Sequence, residues 1–350
     1  MEHGLAEVQL ACEDLAPTLA FFVDRLGFRV ETIFPAEEPT VASLSGHGLR
    51  LRLAPGSGGA GLIRLACRTR PPEAERVLTA PNGTRIEWVD LDPPIEIPRL
   101  APRFVLTRAA DGRPPGPGRA GMIYRDLIPG RLGGRFIASH IAVPGGGPVA
   151  DWVHFHKVRF QMIVCRRGWV RVAYEDQGEP IVMRPGDCVL QPPRIRHRVL
   201  EASPGLEVVE IGCPALHETL ADHDMTLPTG RTLPSRDFGG QRFLFHVAAE
   251  APWRPEGASG FERQDTGMAA ATGGLADVAV LRPAGGARLA SPGHHQEMLF
   301  GYMLEGSAVL EFAGDRYAVG PADAIVVPPG QPWALSNPSH DLSLLRVTVG

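Results

Sequence analysis

The sequence predicts a mainly β protein: two tandem barrels of jelly-roll type preceded by a small α+β domain of order βαβββ. Three observations carry this prediction. Gly 41 and Pro 34 make up about a fifth of the 350 residues and punctuate short apolar runs, the pattern of turn-rich β-structure. The region beyond the first hundred or so residues repeats itself at an offset a little under 140 residues. An amphipathic helical stripe stands near the N-terminus, between strand-like runs.

Composition narrows the class further. At 350 residues the chain is long enough for two or three domains, each with its own core. Hydrophobic content of 44% and charged content of 21% describe an ordinary globular protein. The net charge of -4 gives no nucleic-acid or membrane surface. Cys12, Cys67, Cys165, Cys188 and Cys213 are scattered, with no Cys-x2-Cys pair. That argues against a disulfide framework or structural zinc and for a reducing compartment. With neither a leader-like N-terminus nor an apolar run able to span a bilayer, the expected location is cytoplasmic.

The first predicted domain covers residues 1–92. Val8 to Cys12 is strand-like, and Leu19, Phe22, Val23 and Leu26 form a helical stripe. Asp14 is the expected N-cap and Gly27 the expected stop. Strands are expected over Arg29–Phe34, Thr40–Ser45 and Leu49–Leu53. Residues 93–118 form a Pro-rich linker, although Arg103 to Leu106 reads as an edge strand for the next domain. The first barrel is expected over 119–235 and the second over 236–350. Arg103-Phe104-Val105-Leu106 recurs as Arg242-Phe243-Leu244-Phe245, the turn at Gly168 as Gly306, and Gln191-Pro192-Pro193 as Val327-Pro328-Pro329.

Chemistry concentrates in the first repeat. His154 and His156, two apart on a strand, share one face, and His197 on a later strand closes a facial set. Three neutral imidazoles suit a divalent ion and leave coordination positions open. The candidate metal ligands are His154, His156 and His197, with Gln161 either a weak fourth ligand or a hydrogen-bonding neighbour. Arg159 and Arg196 are candidate anchors for a substrate carboxylate, and Trp152, Phe155 and Phe160 are candidate pocket walls. The segment Cys213 to Thr219, with Asp222 and His223, reads chiefly as the connection between barrels, the alternative being a cap on the barrel mouth that supplies an acid or base. In the second repeat the aligned positions hold Pro292, His294, Leu299 and Trp333. That barrel is therefore expected to be structural, or to hold an apolar ligand against Trp333 and Met303.

The spacing Gly147-x6-His154-x-His156-x4-Gln161-x6-Gly168, then Gly186-x5-Pro192-x4-His197, resembles the two motifs of the cupin superfamily. The tandem repeat resembles a bicupin. Gln161 stands where that family has a glutamate, Arg194 where it has a glycine, and the first spacing is one residue longer. Resemblance to three-histidine members, the gentisate-type and diketone-cleaving dioxygenases, implies one divalent metal per chain, with Fe(II) favoured and Zn, Mn or Ni possible. It implies a dioxygenase that uses O2 to cleave a C–C bond in a small anionic substrate, an aromatic acid or diketone-like molecule. The alternatives are a non-redox isomerase, lyase or decarboxylase, and a non-catalytic small-molecule binding protein. Asp14-Leu15 with Phe21 to Phe28, and Asn82 to Glu87, resemble a truncated glyoxalase or vicinal-oxygen-chelate module. In it Glu87 fits a ligand position, but Glu7 and Leu62 replace the usual histidines. Its incomplete sheet would leave an edge or an apolar face open, which favours a homodimer.

Overall fold

The computed structural model describes residues 6–350 apart from 36–38, 57–60, 70–71, 73–74, 111–115, 118–121 and 286–287. Two compact units divide the chain, Met1–Pro94 and Ile95–Gly350.

In the first unit a strand over Val8–Ala11 leads into an α-helix over Leu15–Ala20, which widens into a π-turn over Phe21–Arg25. Leu15, Thr18, Phe22 and Leu26 are the buried positions of this helical run, spaced as one helical face requires. Asp14 occupies the N-cap with extended backbone but makes no side-chain cap; its carbonyl accepts the Thr18 hydroxyl at 2.9 Å. Gly27 ends the run at φ +73, the left-handed conformation of a helix stop. Strands Arg29–Phe34, Val41–Gly46 and Leu49–Ala54 follow. They form a sheet in which Leu49–Ala54 lies between Val41–Gly46 and, in parallel, Val8–Ala11. Leu62–Cys67, Arg85–Asp90 and Val77–Thr79 form a second sheet. The expected βαβββ order is thus present. Glu7 pairs with Arg50 at 3.2 Å, and Glu87 with Arg85 at 2.9 Å; neither belongs to a metal-ligand cluster among the described residues.

The second unit holds two β-sandwich barrels. The first joins a seven-stranded sheet, centred on Phe160–Arg167, Leu206–Cys213 and Ile137–Val143, to a sheet built on Val170–Tyr174, His197–Ala202 and His154–His156. The second has the same plan, with Met298–Glu305, Ser343–Val349 and Ala276–Pro283 in its seven-stranded sheet. The two larger sheets share a core. Phe160, Met162 and Val164 from one side cluster with Met298, Phe300 and Tyr302 from the other. The intervening residues turn into their own barrels: Ile163 and Cys165 in the first, Leu299 and Met303 in the second. Both faces of each large sheet are buried, which is why these strands read as unbroken apolar runs.

The barrels exchange edge strands, so neither is a contiguous span of sequence. Val105–Thr107 pairs with Ala324–Val327 of the second barrel, and Leu244–His246 pairs with Cys188–Leu190 of the first. The expected edge strand near Arg103 therefore serves the far barrel rather than the next one. Its repeat counterpart does the reverse. Ile97 and Leu100 pack on the shared core, so much of the expected 93–118 linker belongs to the barrel assembly.

Candidate metal centre

His154 and His197 face each other as register partners of two antiparallel strands, and His154–His156 is flanked on its other side by Thr219–Ala221. Ring centroids lie 4.2 Å apart for His154 and His197, 5.3 Å for His154 and His156, and 5.4 Å for His156 and His197. One nitrogen from each ring lies within 4.8 Å of the others.

The tautomer follows from the other nitrogen. Nδ1 of His154 lies 2.8 Å from the Trp152 carbonyl, that of His197 3.1 Å from the Ile195 carbonyl, and that of His156 3.2 Å from the Glu218 carbonyl. A carbonyl only accepts, so each Nδ1 carries the proton and each Nε2 the lone pair. Three oriented neutral imidazoles are the donor set that a divalent transition metal takes, with backbone partners holding each ring in place. Asp151 adds support behind His154. Its buried carboxylate accepts the Trp152 and Val199 amides at 3.0 Å each and lies 3.6 Å from His154 Nδ1.

These histidines line a cavity of about 360 Å³ inside the first barrel, within the small-ligand range. Gln161 lines it too, and its amide donates to Glu210 at 3.1 Å. Glu210 is a functional candidate that the motif reading passed over. Its signal is strand phase: in Leu206–Cys213 the alternate residues Val209, Ile211 and Cys213 join the shared core, which turns Glu210 inward. His217, in the segment read chiefly as connection, lines the cavity with its ring 5.2 Å from that of His156, as the barrel-mouth alternative expects. Tyr174 stacks 5.8 Å from His197 and accepts a hydrogen bond from the Gln191 amide at 2.9 Å. Burial pushes its phenol well above the usual range, with Gln191 opposing.

Neither candidate arginine is a cavity residue. Arg159 pairs with Glu297 at 2.8 Å, and Arg196 pairs with Asp222 at 3.0 Å while lying over the Phe155 ring at 4.2 Å. Trp152 and Phe155 do not line the cavity either, and Phe160 is in the shared core. The cysteines are free thiols. Burial pushes Cys165 up to about 12, so it is inert at neutral pH.

The second barrel has no equivalent site among the described residues. His294 directs Nε2 to the Val327 carbonyl at 2.9 Å, the reverse of the first-barrel histidines, whose Nδ1 atoms face carbonyls. Glu297 is engaged by Arg135 and Arg159. Leu299, Trp333 and their neighbours leave an interior void of only about 20 Å³, while the other side of Trp333 borders an open groove of about 710 Å³ with Pro292 and Phe312.

Comparison with known proteins agrees with this architecture. Residues 279–348, in the second barrel, match the family model described as the cupin domain. The chain is similar to protein YlbA of E. coli, a DUF861 structure, at 13% identity over 73% of this chain and 94% of that one, with a TM-score of 0.54. It is similar to oxalate decarboxylase of Bacillus subtilis, a protein described with Mn(II) centres, at 13% identity, 73% and 78% coverage and a TM-score of 0.53. A putative glyoxylate-induced protein of Pseudomonas aeruginosa follows at 13% identity, 74% and 93% coverage and a TM-score of 0.52. No curated protein matches the sequence. At such identities the likeness establishes a fold, the two-barrel cupin fold, and no activity.

Proposed function

We propose that the protein is a divalent-metal enzyme that cleaves a carbon–carbon bond in a small anionic substrate, with Fe(II) and O2 as its metal and co-substrate. The observation that carries this reading is the set of three histidines, each locked with Nε2 as acceptor, at one end of a largely apolar cavity. A bound divalent ion would supply Lewis acidity and, as iron, the electrons for reaction with dioxygen. His154, His156 and His197 hold it, and their neutrality leaves its positive charge to attract a chelating anion. Gln161 does not replace the family glutamate alone; it positions Glu210, which brings the carboxylate from the adjacent strand. With Arg159 and Arg196 engaged elsewhere, chelation takes over the anchoring role assigned to them from the sequence.

A second reading, non-redox lyase or decarboxylase chemistry with Mn, Zn or Ni, is favoured by Glu210 and His217, two groups able to carry protons beside the site. Oxygen uptake by Fe(II)-loaded protein against aromatic acids and diketones separates the readings. Uptake with cleaved product, lost in His156→Ala, supports the dioxygenase. Turnover without oxygen moves the assignment to the lyase, and ligand stabilisation without product to a binding protein.

The N-terminal unit belongs to this reading as a packing or interaction module. Every residue of its edge strand Arg29–Phe34 is exposed, including Phe34 at 70%. Pairing of that edge in a homodimer would cover it.

A further inference from the structure

The cavity wall grades from polar to apolar along the barrel. Side chains two apart line the same face of a strand, so the register gives the order. Ser139 pairs with Glu210, then Ile141 with Val208, then Val143 with Leu206. On the opposite sheet Tyr174 pairs with His197, Val172 with Val199, and Val170 with Ala202. All twelve line the cavity. Most polar groups thus collect at the histidine end, with Tyr124 opposite Ile141 the exception, and the last levels carry Val143, Leu206, Val170 and Ala202 with Met122 and Met183 beside them. From His197 to Ala202 the strand advances roughly 16 Å at about 3.3 Å per residue.

Charge gives an independent constraint. Among the described residues lining the cavity there is no lysine or arginine. With the lining histidines His154, His156, His197 and His217 all counted neutral, a divalent ion contributes +2 and the Glu210 carboxylate -1, which leaves +1 among the groups at the polar end. One negative charge on a ligand balances it.

We infer that the substrate is an amphiphilic monoanion: an oxygen-chelating head with a single charge, and an apolar tail running towards Val143, Leu206 and Ala202. This rests on the metal reading above and adds the substrate class to it. A small dianion such as oxalate overbalances the charge and leaves the aliphatic end unfilled.

Calorimetric titration of the full-length Ni(II)-loaded protein with pyruvate, 2-oxohexanoate, 2-oxooctanoate and oxalate tests the inference without requiring turnover. Affinity is expected to rise about fourfold per added methylene, with oxalate weaker than 2-oxooctanoate. Val143→Phe, at the aliphatic end, should cut 2-oxooctanoate affinity at least about tenfold while metal content and pyruvate affinity stay as in wild type. If that variant fails to fold, the chain-length series on wild type decides alone. A flat series, or oxalate bound more tightly than 2-oxooctanoate, overturns the inference. Metal content of the same samples separates the failures. A flat series on metal-loaded protein contradicts the substrate class only, whereas protein that takes up no metal contradicts the functional reading and the inference with it.

Discussion

Arg194 shows how the site is held at the level of one residue. It stands where the cupin motif has glycine, and its backbone takes the left-handed conformation at φ +66. Its amide donates to the His156 carbonyl at 2.9 Å, so the strained turn ties the segment before His197 to the histidine strand. A left-handed non-glycine residue costs on the order of 1–2 kcal/mol. Arg194→Gly is therefore expected to keep metal uptake and gain up to about 1 kcal/mol in urea unfolding, after the entropy cost of glycine. Gln161→Glu acts in the opposite sense. It replaces the amide donor 3.1 Å from Glu210 by a second carboxylate, so the metal-free protein should lose thermal stability while metal affinity rises. Unchanged melting and affinity would place Gln161 outside the site.

At the scale of elements, the shared sheet interface holds the barrels together. Phe300 is fully buried there, and Phe300→Ala should cost about 3–5 kcal/mol in denaturant unfolding. The ion pairs of Glu297 with Arg135 and Arg159 are part of the same assembly. Burial opposes ionisation of Glu297, but hydrogen bonds from Arg135 and then Arg159 outweigh it and hold the carboxyl below its ordinary value of 4.5. A depressed folded value stabilises the protein above the unfolded one and loses that contribution as pH falls through the folded one. Melting temperature should therefore drop below about pH 4.5, and Glu297→Gln should flatten that acid limb. An identical acid limb in the variant would remove Glu297 from this account. The same pairs explain why the arginines misled the sequence reading. Arg159 finds its partner 138 residues away, and no local pattern announces such a pairing.

Across the whole molecule, what was legible rests on short-range periodicity. Period two put His154 and His156 on one face, and motif spacing brought His197 to them. The loss of both patterns around Pro292 and Trp333 marked the second barrel as lacking the histidine set. The exchanged strands Val105–Thr107 and Leu244–His246 were visible as repeats, but not as swaps, because pairing partners are set by long-range packing. Glu210 stayed hidden because its strand carries no motif, only a phase that the core fixes. The division at Pro94 and Ile95 predicts that residues 95–350, expressed alone, bind metal as the full chain does. Loss of binding in a folded fragment would give the N-terminal unit a part in the site. The most direct test of the central claim is metal analysis of protein purified anaerobically, comparing wild type, His197→Ala and His294→Ala. The account predicts near-stoichiometric divalent metal in wild type and His294→Ala and none in His197→Ala. Metal retained in His197→Ala but lost in His294→Ala, or no metal taken up by wild type, would contradict it.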